Sequence, residues 1–169
     1  MSMWGRVFAM RFDLRQTENT RDSKMLTSFR KNLKRRLERR YSMVNMGYIW
    51  VREQESAKQQ HYHVVIFLDG DKIRHSSVII KVIMETWENL KSGNTVGYAK
   101  RCFYNVSDSN SKADAIYRFS YLAKARGKGY RPPQSKDYGT SRLRIPLALD
   151  QFRAKARNLQ SHCSFQMGV

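Results

Sequence analysis

His61-Tyr62-His63-Val64-Val65-Ile66-Phe67-Leu68 sets two imidazoles two residues apart at the head of an apolar, β-branched run. Successive side chains of a strand alternate faces, so His61 and His63 project from the same side. Upstream, Tyr48-Ile49-Trp50-Val51-Arg52-Glu53-Gln54-Glu55 reads as a second strand. The polar Ser56-Ala57-Lys58-Gln59-Gln60 between them has the length of a hairpin loop. Paired antiparallel, these strands bring Glu53 or Glu55 opposite the histidines. Two imidazoles and a carboxylate then converge, which is a donor set for a divalent metal. A histidine pair on one strand is by itself more often a surface or hydrogen-bonded pair, so this reading needs support from elsewhere in the chain.

Composition bounds the rest. A chain of 169 residues suits one domain with a sizeable core, expected over 1–169. Its 41% hydrophobic and 12% aromatic content make it globular rather than disordered. Lys and Arg number 32 against 14 Asp and Glu, a net charge of +18, which draws polyanions and implies salt-sensitive binding to nucleic acid. There is no apolar run of spanning length and no charged-then-apolar leader, so no membrane partner is expected. Cys102 and Cys163 match no metal or redox spacing and make no disulfide framework. The expectation is a reducing cytoplasm.

Around the hairpin, Arg6 to Leu14 alternates as a first strand, with Phe8, Met10, Phe12 and Leu14 on one face. A polar linker through Asp22 precedes a helix of about five turns ending near Tyr41. Leu26, Phe29, Leu33 and Leu37 form its apolar line, flanked by basic residues that include Arg35 and Arg36. Those cations suit either a solvated face or phosphate contacts. Ser76 to Lys91 forms a second helix with an apolar stripe of Ile79, Ile80, Ile83, Met84, Trp87 and Leu90, and Gly93 stops it. His75 at its start reads as a surface or capping residue. A fourth strand is expected over Thr95 to Val106. The fold class is therefore α+β, a central antiparallel sheet in β-α-β-β-α-β order of the ferredoxin or RRM type. The core is expected over 6–126, a basic loop over 127–142 and a weak helical segment over 145–162.

After this sheet comes Ser111 to Lys124, a helix for which Ser111 and Asp114 have the spacing of a capping box. Tyr117, Tyr121 and Lys124 fall within a sector of about 60°. Ala115, Ile116, Phe119, Leu122 and Ala123 gather opposite and are expected to pack. Two phenols and an ammonium thus share a polar face, the arrangement of a site.

The histidine strand and the tyrosine helix together resemble the HUH endonucleases. The Tyr-x-x-x-Tyr-x-x-Lys pattern from Tyr117 to Lys124 resembles their two-tyrosine branch of rolling-circle initiators, and most nearly the inovirus gene-two-like family of phages and prophages. Trp50-Val51-Arg52-Glu53-Gln54, His61-Tyr62-His63, Tyr121-Leu122-Ala123-Lys124 and the basic Gly127 to Pro133 carry that resemblance, which spans roughly 6–142. Tyr62 departs from the motif, whose middle position is usually aliphatic.

The resemblance implies an enzyme that nicks and rejoins single-stranded DNA through a 5′-phosphotyrosine, in a bacterial cell. It implies Tyr121 and Tyr117 as nucleophiles, Lys124 as their helper, and His61, His63 and Glu53 (Glu55 as alternate) as ligands of Mg²⁺ or Mn²⁺. Ligand type alone also admits Zn²⁺. Single-stranded DNA or a DNA hairpin is the expected partner, gripped by Arg118, Arg126, Lys128, Tyr130, Arg131, Arg35 and Arg36. No helicase motif is present, so a helicase is a further expected partner; no small-molecule cofactor beyond the metal is expected. Two other functions suit these residues: a single-strand transposase or relaxase of the same superfamily, and a non-catalytic RRM-like nucleic-acid-binding domain. The second lacks the aromatic Lys/Arg-Gly-Phe/Tyr strand signature.

Overall fold

Alternating apolar residues build the frame of the molecule, seen in a computed structural model that describes residues 4–42, 45–53, 59–73, 75–120, 122 and 136–143. Strand β1 (Val7–Arg15) sends Phe8, Met10, Phe12 and Leu14 to one side, all buried. Helix α1 (Lys24–Tyr41) answers with Leu26, Phe29, Leu33 and Leu37. Just ahead of its first turn, Asp22 Oδ1 accepts the Lys24 amide at 3.0 Å. Strands β2 (Gly47–Glu53) and β3 (His61–Asp69) form the expected hairpin, and helix α2 (Ser76–Glu88) follows. Ile79, Ile83 and Trp87 of α2 join the same core, whereas Met84 faces solvent. His75 is exposed and its side chain makes no cap bond to α2. Gly93, at φ +83°, reverses the chain where a Cβ would lie 2.5 Å from a Thr17 methyl.

The sheet is antiparallel: β4 (Thr95–Gly97), β1, β3, β2 and β6 (Tyr138–Thr140) lie side by side in that order, with β5 (Phe103–Val106) also on β1. Its first four positions are the ferredoxin-like order, as expected. The expected fourth strand is two, β4 (Thr95–Gly97) and β5 (Phe103–Val106). Tyr98 leaves the ladder to put its ring 6.4 Å from that of Phe12, its hydroxyl donating to the Ile80 carbonyl. Pairing resumes where the Arg11 amide donates to the Cys102 carbonyl at 2.7 Å.

Helix α3 (Ser109–Ser120) starts earlier than its capping signal suggested. Asp108 is the cap: its Oδ1 accepts the Ser111 amide at 2.9 Å, and Ser111 Oγ accepts the Ser107 and Asp108 amides. Strand β6 (Tyr138–Thr140) lies within the expected basic loop. Its Gly139 pairs with Trp50, and a Cβ there would meet the indole at 2.6 Å, so only glycine lets the edge strand close. The expected helical segment over 145–162 lies outside the described residues.

Candidate metal centre and tyrosine helix

The hairpin register decides what meets what. Glu53 pairs with His61 and Val51 with His63, while on the other side of β3 Asp13 pairs with His63 and Arg15 with His61. Alternation puts Arg11, Asp13, Glu53, His61 and His63 on the sheet face opposite α1 and α2. Glu53, His61 and His63 each offer one ligand atom there, all within 4.8 Å of one another.

Hydrogen bonds orient both rings. His63 Nδ1 lies 2.7 Å from Asp13 Oδ1 and its Nε2 lies 2.6 Å from Glu53 Oε2. Carboxylates only accept, so each of these ring nitrogens carries a proton and donates it. His61 Nδ1 donates to the Gln59 carbonyl at 3.3 Å, leaving its Nε2 3.5 Å from the same Glu53 oxygen. Both imidazoles therefore present Nε2 to one carboxylate oxygen. A cation with bonds of about 2.0–2.2 Å holds its ligand atoms about 3–4 Å apart, so small shifts let these three share one. The mixed nitrogen and oxygen donor set fits a divalent metal.

Charge follows this geometry. Burial pushes the His63 imidazole down, but the hydrogen bond to Asp13 and its charge, with the hydrogen bond to Glu53, outweigh it and raise the net value. Burial pushes the Asp13 carboxyl up; the His63 hydrogen bond and the charges of His63, Arg11 and His61 overcome that and hold it below the usual range. Asp13 is the site residue that reading the sequence missed. It lies 50 positions from His63, and the chain marks it only by its place with Arg11 on the polar face of β1, opposite Phe12.

A buried polar network grips the hairpin from the other face. Arg52 and Gln60 flank Glu53 and His61 in sequence and are 2% and 0% exposed. Arg52 Nη2 donates to Gln60 Oε1 at 2.9 Å and to the Thr20 carbonyl at 2.7 Å. Gln60 Nε2 donates to Gln16 Oε1 and to Tyr62 Oη, both at 2.8 Å. These bonds lock the ligand-bearing strand ends to the loop before α1. The hydroxyl of Tyr62, the departure from the usual motif, is employed in this network on the far face from the histidines.

Helix α3 lies on the histidine face. The Phe119 ring stands edge-on to Phe67 at 6.4 Å and to Tyr104 at 5.6 Å. Leu122 packs with Val51 and Val65, the strand residues beside His63. Ala115 is buried as expected, but Ile116 is 58% exposed, because α3 touches the sheet along a stripe narrower than its apolar face. Tyr117 is 83% exposed, and no contact among the described residues joins it to the histidines. Tyr121, Lys124, Glu55, Arg126, Lys128, Tyr130 and Arg131 lie outside the described residues.

The other residues expected on DNA divide. Arg118 is exposed on α3. Arg35 is exposed on α1, across the sheet from the histidines. Arg36 is engaged between helices: its Nη1 lies 3.1 Å from Glu85 Oε2 and 3.4 Å from Thr86 Oγ1. That ion pair ties α1 to α2.

Fold and site define a ferredoxin-like α+β protein with a candidate His-His-Glu metal centre on the sheet face that carries its third helix. The chain belongs to the YagK/YfjJ C-terminal domain family, whose model matches residues 1–141; these are prophage-associated proteins. No curated protein and no solved structure matches it. No described helix is long and apolar enough to cross a membrane.

Proposed function

We propose that the protein is a divalent-metal-dependent endonuclease of the HUH type that nicks and rejoins single-stranded DNA through a 5′-phosphotyrosine, serving rolling-circle replication of a phage or prophage. One observation carries this reading: Glu53, His61 and His63 converge on the face where α3 ends, and Leu122, the neighbour of Tyr121, packs beside His63. Mg²⁺ or Mn²⁺ held by the three residues would offset charge on a non-bridging phosphate oxygen. The Tyr121 hydroxyl attacks the phosphorus, the bond to the 3′ oxygen breaks, and the phenolic proton balances that oxygen as a 3′-hydroxyl. Lys124 stabilises the ionised phenol or the phosphate. Because the bond energy is kept in the phosphotyrosine, a 3′-hydroxyl can reverse the step. Tyr117, open to solvent, is the second nucleophile, which cuts again while the first end remains attached.

The test is a denaturing gel of the protein with labelled single-stranded DNA and Mn²⁺. The expected result is a covalent band that is absent with chelator or with Tyr121→Phe and present with Tyr117→Phe. A retarded band on a native gel with no denaturation-resistant adduct would instead identify a non-catalytic binding domain.

A further inference from the structure

The two histidines are anchored unequally. His61 Nδ1 reaches a backbone carbonyl at 3.3 Å in an exposed setting, whereas His63 Nδ1 reaches the Asp13 carboxylate at 2.7 Å in a more enclosed one. Asp13 is held on both sides by the sheet, pairing with His63 of β3 and with Gly97 of β4. Arg11 Nε stands 3.9 Å from the same Oδ1, so the carboxylate's charge is offset where it lies. The groups form a row of alternating charge on one sheet face: Arg11, Asp13, His63, Glu53, His61.

We propose that Asp13 is the positioning residue of the candidate metal centre: by accepting the Nδ1 proton of His63, it commits Nε2 to the cation. A metal-binding imidazole keeps its second nitrogen protonated, and an acceptor fixed on that side selects both tautomer and ring rotation. Charge-assisted hydrogen bonds are about twice as strong as neutral ones, so His63 is the rigid ligand and His61 the adjustable one. The inference rests on the metal-binding part of the proposed function and needs none of its DNA chemistry.

The experiment measures Mn²⁺ affinity by electron paramagnetic resonance for the intact protein and for Asp13→Asn, Asp13→Ala and His63→Ala. Long-range ¹H–¹⁵N spectra of the histidine rings are recorded with Mg²⁺. Asp13→Ala should weaken Mn²⁺ binding by about 10–100-fold and leave His63 as a mixture of tautomers. Asp13→Asn, whose amide oxygen still accepts, should fall between Asp13→Ala and the native protein, with Nδ1 of His63 still protonated. Native affinity in Asp13→Ala overturns the inference alone. Equal losses in the two Asp13 variants also overturn it, since charge rather than orientation would then be at work. If the native protein and His63→Ala both fail to bind Mn²⁺, the metal centre falls and the inference with it.

Discussion

At the residue scale, the Asp13-His63-Glu53 row makes the metal-free protein's stability depend on pH in a defined direction. His63 titrates higher in the fold than free, so its contribution is complete below about pH 6.5 and is lost as pH rises through the folded value. Asp13 titrates lower in the fold, so its contribution is complete above about pH 4 and is lost as pH falls through the folded value. Urea unfolding in chelator should therefore show native protein exceeding Asp13→Asn by about 1–3 kcal/mol between about pH 4 and 6.5. That gap should shrink on both sides; a constant gap from pH 3 to 9 would contradict the row. Metal binding opposes the same proton at His63 Nε2, so Mn²⁺ affinity should rise with pH through the raised imidazole value.

Among the secondary-structure elements, α3 depends on its cap. It buries only Ala115 within its own span, with Phe119 partly covered, so packing alone holds it weakly. The Asp108 carboxyl, held below its usual range by the Ser111 amide and hydroxyl, ties the first turn. Asp108→Ala should speed amide exchange across that turn by about five- to tenfold, with β1 and β3 unchanged; unaltered exchange in α3 would contradict the assignment. This element also shows what could be read from the chain. The hairpin register was legible because a two-residue period and a short loop leave few pairings, which is why Glu53 falls opposite His61. The start of α3 was not, because Ser111 has the chemistry of a cap whether it is one or is capped by Asp108. The break between β4 and β5 depends on where the Tyr98 ring finds Phe12, a meeting of distant parts of the chain. Strand β6 gave no periodic signal at all, since three residues pair through the fit of Gly139 to Trp50.

For the whole molecule, the net charge is +18, and cations among the described residues stand on both sides of the sheet, whereas on the proposed function a strand of DNA crossing the candidate metal centre would meet one side only. Arg15 is exposed on β1 opposite His61, and Arg101 lies over the Tyr104 ring at 4.7 Å on the same face. Arg35 and Arg39 are exposed on α1, behind the sheet. Neutralising Arg15 and Arg101 together should lower the log–log salt slope of single-strand binding by about 0.7 for each phosphate left without its cation. Neutralising Arg35 and Arg39 should leave it unchanged, and the reverse result would move the DNA to the helical side. Which cations face the site was illegible in the chain, because Arg36 shows its engagement with Glu85 only once α1 and α2 are packed. The nuclease reading stands on the imidazole pair, Glu53 and the chain after α3 sharing one pocket. Anomalous diffraction from crystals of the protein grown with Mn²⁺ decides this. The expected result is a peak bonded to Glu53, His61 Nε2 and His63 Nε2, with the Tyr121 hydroxyl opening onto the same pocket. A peak held by other residues, no peak, or Tyr121 on the helical side of the sheet would contradict it.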